Sequence, residues 1–159
     1  MVAHVGVSLL AFGFISSTAF SEEGEFHLRP GDTGSVAGHQ ITFVELTDTM
    51  DGPNRVVRAL IDVKGRGGYS PAITQYPTFG RPISTPSVAT SFVDDVYLSL
   101  IAIPETGSDL VVIRVLIEPL VAWIWVGGLV IGIGTLLAVI PLKGARSSRR
   151  EDVVSEKAL

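Results

Sequence analysis

The feature that most constrains this chain is an uncharged run at residues 119–142, PLVAWIWVGGLVIGIGTLLAVIPL. As a helix rising about 1.5 Å per residue, it would extend about 36 Å, more than the ~30 Å hydrocarbon core of a bilayer. Trp123 and Trp125 lie near its first end, where indole rings favour the headgroup layer. Basic residues, which favour the cytoplasmic side, follow its second end: Lys143, Arg146, Arg149 and Arg150. The run predicts a transmembrane helix with its tryptophan end outside, and a basic cytoplasmic tail at 143–159.

Residues 1–21, MVAHVGVSLLAFGFISSTAFS, form a second uncharged run, in which His4 is the one ionisable side chain. A signal peptide would carry Lys or Arg before its apolar stretch, whereas the first such residue here is Arg29. The small residues at 16–19 nevertheless resemble a cleavage region, so this interpretation stays open. A retained transmembrane helix is favoured, because the run is long enough and because two spans return the chain to the same side.

Between the two runs, residues 22–118 have the pattern of a β domain. The first predicted strand alternates, with Ile41 and Phe43, followed by Glu45, on one face. The last two predicted strands form a pair around a turn-forming cluster at 104–109. The predicted strands are 40–46, 55–63, 96–103 and 110–117. The predicted fold class is therefore a membrane protein in which two transmembrane α-helices flank a small extracytoplasmic, mostly antiparallel β domain.

The stretch 69–91 is less regular, because prolines interrupt it at positions 71, 77, 82 and 86. Each proline removes a donor from a strand ladder, which predicts an extended edge or a long loop rather than central strands. The following pair, Asp94 and Asp95, suggests acid–base carboxylates. Since the sequence shows no positioned partner for them, a solvated start of a strand is the favoured interpretation.

Composition excludes several classes of function. The chain has no cysteine, which rules out thiol chemistry and thiolate metal sites within it. Its net charge is −4, and its basic cluster beside the second run is explained by topology, so no nucleic-acid surface is predicted. No pattern for phosphate binding or nucleophilic catalysis stands out. His4, His27 and His39 lack the i, i+4 spacing typical of a zinc site.

The second run contains a G-x-x-x-G pair, Gly128 and Gly132, with Gly127 and Gly134 nearby. Small residues let another helix approach closely in lipid. The pattern predicts that this helix packs against other helices.

His4 is the principal candidate for function. An ionisable group within a membrane span is costly unless it has a partner, which favours a role as a ligand or in a proton relay. A neutral imidazole is also a suitable axial ligand for haem iron. The alternative is that His4 merely lies at the cytoplasmic interface, while His27 and His39 are interpreted as surface or hydrogen-bonded strand residues.

The order of several short segments resembles the carboxy-terminal part of the CcmF/NrfE family, the membrane subunit of the haem lyase in cytochrome c maturation. The most specific is P-L-V-A-W-I-W-V-G-G at 119–128. The others are A-H-V-G at 3–6, S-S-T-A-F-S at 16–21, P-G-D at 30–32, I-T-F at 41–43, G-P-N at 52–54, S-P-x-x-x-x-Y-P at 70–77, T-P-S-V-A-T at 85–90 and D-D-V-Y-L-S-L at 94–100.

The resemblance implies a multi-pass protein of the cytoplasmic (inner) membrane with residues 22–118 outside the cytoplasm. Family members take haem from the haem chaperone CcmE and attach it to the C-x-x-C-H motif of apocytochrome c, alongside a thiol-reducing CcmH-type subunit. They also hold a haem b between transmembrane histidines. His4 lies in the matching A-H-x-G motif, so the resemblance implies that His4 is an axial ligand of haem b.

The sequence departs from the family pattern in three places. Ala122 occupies the position of the usual arginine in the 119–128 segment, and only three residues precede His4. The family's tryptophan-rich outer segment has no counterpart here. The expectation is a fragment, split subunit or incomplete gene model that is not catalytic alone and needs the remaining CcmF-like transmembrane portion. The alternative is a non-catalytic, membrane-anchored assembly or partner-docking module without haem.

Overall fold

The computed structural model describes residues 1–103 and 108–139, so part of the predicted turn at 104–109 and the tail at 143–159 lie outside the described residues. Within that part, two apolar helices flank a mostly antiparallel β domain. The helices are α1 Val2–Ala19 and α2 Val121–Val139. The strands are β1 Glu22–Leu28, β2 Thr33–Val36, β3 His39–Asp51, β4 Asn54–Val63, β5 Gly67–Tyr69, β6 Ala72–Gln75, β7 Pro82–Thr85, β8 Ser87–Thr90, β9 Asp94–Leu100 and β10 Val111–Pro119.

The described strands form two sheets that pack around one core. Sheet A has the order β1-β10-β9-β8, and sheet B has the order β2-β3-β4-β6-β7, with β5 also pairing with β4. The last two predicted strands, which correspond to β9 and β10, pair antiparallel as expected, with Ile113 opposite Leu100. In β4 and β10 every second residue is buried between the sheets: Val57, Ala59, Ile61 and Val63 from β4, and Val111, Ile113, Val115 and Ile117 from β10. This alternation is the pattern of strands that present one face to a core.

Strand β3 corrects one prediction from the alternating pattern. Ile41 and Phe43 are fully buried, as expected, but the register against β4 shifts between Phe43 and Glu45. This irregularity leaves Val44 exposed as the extra residue, and the alternation changes phase after it. Glu45 is therefore exposed rather than on the buried face, and Leu46 packs against the core in its place.

The proline-rich stretch forms short strands instead of a long loop. β7 contains Pro82 and is the exposed outer strand of sheet B, where a missing ladder donor costs least. β8 is likewise the outer strand of sheet A. β6 lies inside sheet B, between β4 and β7, and it carries no proline. The expectation of edge structure is thus correct for β7 and β8 and wrong for β6.

Both helices leave the β domain from the same end. α1 leads into β1, β10 leads into α2, and β1 and β10 are paired antiparallel neighbours. Each helix is long and apolar enough to cross a bilayer by length and composition. The two helices pack closely against each other along their length and run in opposite directions.

The contact between the helices is made by glycines spaced seven residues apart. Gly6 lies against Gly127 and Ile131, and Gly13 lies against Ile124. On the other side, Gly134 lies against the backbone of Ala3. A seven-residue repeat keeps the same face of each helix toward its neighbour, and the missing side chains let the two backbones approach.

The prediction that α2 packs against another helix is confirmed, although the contact does not involve the G-x-x-x-G pair, Gly128 and Gly132. Open space surrounds both of these residues, whereas Gly127 and Gly134 are buried against α1. α2 does pack against another helix through small residues, but that helix belongs to this chain, and different glycines make the contact.

Candidate functional site

His4 lies in the first turns of α1, on the side that faces away from α2. The residues of α1 that meet α2 include Ala3, Gly6, Leu10 and Gly13, whereas His4 is exposed. Ser8, one turn later, donates a hydrogen bond from Oγ to the carbonyl oxygen of His4 at 3.1 Å. The helix pair therefore presents an imidazole on its outer surface and buries its glycines inside.

The side chain of His4 borders an open, mainly apolar depression of about 440 Å³ that is also lined by Met1, Val5 and Ser8. An imidazole on such a surface can supply one nitrogen to a flat, apolar group lying against the helix. Among the described residues there is no group of three or more His, Asp or Glu side chains that could hold a metal ion. His4 could thus supply a single imidazole ligand from this position, since His27 and His39 both lie in strands of the β domain.

A second cluster lies where the β domain meets the helices, and it centres on Asp94. Asp94 begins β9 and pairs with Pro119, which immediately precedes the junction to α2. His39 Nε2–H donates to Asp94 Oδ2 at 2.8 Å, and Arg66 Nη2 donates to Asp94 Oδ1. The three side chains are only 14–19% exposed. Since His39 and Arg66 belong to the sheet B side and Asp94 to sheet A, the cluster joins the two sheets.

The surroundings of Asp94 keep its carboxyl ionised. Partial burial acts to raise its pKa, but the hydrogen bonds and positive charge of Arg66, together with those of His39, outweigh burial and hold the pKa below its ordinary value of 3.8. Arg66 also donates from Nη1 to the carbonyl oxygen of Ala89 at 3.0 Å. Both carboxylate oxygens of Asp94 are therefore engaged, and the arrangement is that of a structural ion pair rather than an acid–base catalyst.

This cluster corrects the prediction for the aspartate pair. Asp94 is enclosed rather than solvated, and Asp95 is buried and accepts a hydrogen bond from the backbone N–H of Ser91 at 3.2 Å. The prediction for His39, a hydrogen-bonded strand residue, is confirmed. Sequence reasoning missed Arg66 because it sits in a glycine-rich turn 28 residues from its partner.

The third histidine, His27, joins neither location. His27 lies on the exposed face of β1, where its Nε2 is 4.0 Å from Oε1 of Glu25. His4 lies in α1, while His39 lies at the helix-proximal end of the β domain. The described structure thus separates the three histidines into three different environments.

Comparisons with known proteins agree with the resemblance drawn from the short segments. The chain is 30% identical over 144 residues to the cytochrome c-type biogenesis protein CcmF of Pseudomonas fluorescens, an alignment that covers 87% of this chain and 21% of that protein. It is also 30% identical over 157 residues to the probable cytochrome c-type biogenesis protein NrfE of Escherichia coli (strain K12), covering 96% of this chain and 27% of that protein. No protein-family model matches the chain.

A solved structure shares the fold. The cytochrome c haem lyase CcmF superposes with a TM-score of 0.70 at 22% identity, covering 88% of this chain and 24% of that one. The resemblance to the CcmF/NrfE family is thereby confirmed. The chain spans about a quarter of the length of these relatives, between 21% and 27%.

Proposed function

We propose that this chain supplies two membrane-spanning helices and the intervening outer domain of a CcmF-like haem lyase that acts in cytochrome c maturation. Relatives named for cytochrome c-type biogenesis match 87–96% of the chain, which supports this assignment. Because the chain spans about a quarter of each relative, the lyase activity would belong to a whole CcmF-like unit, of which this chain supplies one part.

Within that assembly, His4 would be one axial ligand of a haem b shared with a histidine of another helix. The observation that carries this role is the position of His4 on the side of α1 opposite the glycine contact, beside an open apolar depression. A histidine turned toward α2 would be enclosed by its own hairpin, whereas this position leaves the ring free to meet a neighbouring helix. A bound haem would supply iron-centred electron-transfer or structural chemistry.

The proposed location is the cytoplasmic membrane, with the β domain outside the cytoplasm. Both helices are apolar enough to span it, and Lys143, Arg146, Arg149 and Arg150 favour the cytoplasmic side beyond α2. In that orientation the β domain would lie on the side where the haem chaperone CcmE, apocytochrome c and a CcmH-type subunit would meet the complex.

The glycine contacts support retention of the first helix. Gly6 and Gly13 match Gly127 and Gly134 in spacing and meet them or their neighbours, a fit that a cleaved signal peptide would not require. Amino-terminal sequencing of the purified protein tests this. We expect the mature chain to retain α1, and a mature start near Phe20 would contradict the two-span arrangement.

The haem assignment is tested by co-expressing the chain with a CcmF-like partner that contains the missing helices. We expect the purified complex to show a haem b absorbance spectrum that His4→Gly reduces or shifts and that added imidazole restores. His27→Gly is the matched control, since His27 is an exposed histidine of the outer domain. A spectrum unchanged by His4→Gly would exclude the ligand role, and a complex without haem would favour an assembly module instead.

A further inference from the structure

The end of the β domain nearest the helices carries exposed apolar side chains. Phe20 follows the last residue of α1, and Phe92 and Val93 lie in the loop between β8 and β9. We call these three residues the collar. Their exposed fractions are 69%, 79% and 67%, far above those of the domain's core residues. Large apolar groups exposed together commonly mark a surface that another phase or partner covers.

The collar lies at the level where α2 begins. The backbone N–H of Leu120 donates to the carbonyl oxygen of Val93 at 2.7 Å. Ala122, in the first turn of α2, shares an open depression of about 240 Å³ with Thr90, Ser91 and Phe92. Trp125 is exposed and follows Ala122 by three residues. It therefore lies about 4–5 Å further along the helix axis. The collar is therefore level with the tryptophans that favour the headgroup layer.

The loop that carries Phe92 and Val93 is a fixed turn. Ser91 Oγ donates to the carbonyl oxygen of Asp94 at 2.8 Å and accepts hydrogen bonds from the N–H groups of Val93 and Asp94 at 3.2 and 3.1 Å. Asp94 is held in turn by Arg66 and His39. The apolar side chains are thus presented on a turn that is held by the hydrogen bonds of Ser91 and Asp94.

We propose that the collar inserts into the boundary between headgroups and acyl chains, so that the β domain rests on the outer surface of the membrane. The inference rests on the proposed function in one respect, the crossing of the bilayer by α1 and α2. Residues 91–93 carry no basic side chain, and the guanidinium of Arg66, which reaches this turn, is paired with the carboxylate of Asp94. Burial of apolar area, rather than attraction to anionic lipid, therefore drives the contact.

The contact gives the β domain a defined height and tilt relative to the bilayer. Without it, the domain would be held by the two strand–helix junctions alone. With it, a third point beside those junctions supports the domain, and the far end of the sheets is presented to partners in a fixed orientation.

The absence of cysteine makes each position testable by a single introduced thiol. The full chain is labelled with the fluorophore NBD at Phe92→Cys and reconstituted in phosphatidylcholine liposomes that contain either lipid-borne doxyl quenchers or aqueous iodide. Phe79→Cys is the matched control, because Phe79 is 69% exposed but follows β6, whose Gln75 pairs with Arg55 at the other end of β4. Leu129→Cys, at an exposed position within α2, reports on insertion of the helices.

We expect shallow doxyl groups to lower the emission at position 92 roughly twofold, because an interfacial side chain lies at their depth, and to leave position 79 unchanged. Quenching at 92 by iodide to the same extent as at 79 would overturn the proposal. Shielding of 92 from both quenchers would also overturn it, because a protein contact would then cover the collar. Quenching of Leu129 by deep doxyl groups in the same liposomes separates failure of the collar from failure of the membrane-spanning assignment.

A second measurement removes the influence of the label itself. The label is placed at Val93→Cys with Phe92 intact, and then in a Phe92→Ser background. We expect doxyl quenching at 93 to fall when Phe92 is replaced by serine and to persist with Phe92→Leu. Equal quenching in all three proteins would show that the apolar side chain of Phe92 does not hold the loop in the membrane.

Discussion

Nε2 of His39 lies 2.8 Å from Oδ2 of Asp94, although 55 residues separate them in the chain. His39 begins β3 of sheet B, and Asp94 begins β9 of sheet A. With Arg66 on the other carboxylate oxygen, this contact joins the two sheets at the end where the helices begin. The charged cluster therefore stabilises the junction that carries α2, rather than a distant part of the domain.

Replacement of Asp94 by alanine should lower the free energy of unfolding by about 2–4 kcal/mol, because it leaves the enclosed Arg66 without its anionic partner. Urea unfolding of the full chain in detergent, followed by circular dichroism of the β domain, measures the loss. Asp48→Ala is the matched control, since Asp48 pairs with Arg55 at 2.6 Å in an exposed position and should change the stability little. Similar losses in both variants would contradict a special role for the enclosed pair.

The same carboxyl should make the stability depend on pH in the acid range. Since the pKa of Asp94 in the folded protein is below its ordinary value of 3.8, the unfolded chain binds the proton first as the pH falls. The contribution of Asp94 is therefore complete well above pH 3.8 and is lost as the pH drops through 3.8 toward the lower pKa of the folded state. Unfolding free energies measured across this range should fall with decreasing pH.

The variant Asp94→Asn provides the check on that assignment. It lacks the titrating group, so its stability should fall less steeply over the same range. The two proteins should converge at the acid end, where Asp94 is protonated in both the folded and unfolded states. Parallel pH curves would assign the acid sensitivity to other carboxyl groups.

The turn between β2 and β3 offers a stabilising substitution. Ala37 and Gly38 connect the paired residues Val36 and His39, and both have positive φ angles, 48° and 78°. This two-residue turn favours Asn-Gly, because asparagine tolerates the left-handed conformation better than alanine does. Ala37→Asn should raise the free energy of unfolding by about 0.5–1 kcal/mol, whereas Ala37→Val, which adds a branched side chain, should lower it. An unchanged or lower stability for Ala37→Asn would contradict this account.

The sequence predicted the long strands of the β domain, because their apolar side chains are a local signal. Residues 55–63 and 110–117 were predicted as strands from their branched apolar side chains, and both form long strands that bury alternate residues between the sheets. The alternation misled at Glu45, since a register shift there is decided by the pairing with β4 and leaves no local signal. The sequence did not predict the short strands β6 to β8, because strands of four residues depend on long-range partners.

The candidate site likewise has one part that the sequence predicted and another that depends on tertiary packing. The motif around His4 can be read locally, but the direction of its side chain depends on which helix face meets α2, and the glycines decide that face. The glycine-rich sequence of α2 predicted a helix contact, but it does not show locally which of the glycines at 127, 128, 132 and 134 face α1. The matching seven-residue spacing of Gly6 and Gly13 was the available signal, because a shared period in two helices predicts a shared contact.

Replacement of Gly127 by leucine should separate the two helices. An added Cβ would lie 2.6 Å from the backbone nitrogen of Leu10, which cannot move out of the way as a side chain could. Because the distance between helix axes depends on the side chains at the contact, we expect it to widen by about 2 Å. Spin labels at Ile15→Cys and Leu129→Cys, both at exposed positions, would measure the change in the otherwise cysteine-free chain.

Gly128→Leu is the matched control, with nothing within 4 Å of the added Cβ, so its label distance should stay that of the unsubstituted helix pair. Equal widening in both variants would mean that the helices do not meet through Gly127, and His4 would then lose the outward position on which its proposed role depends.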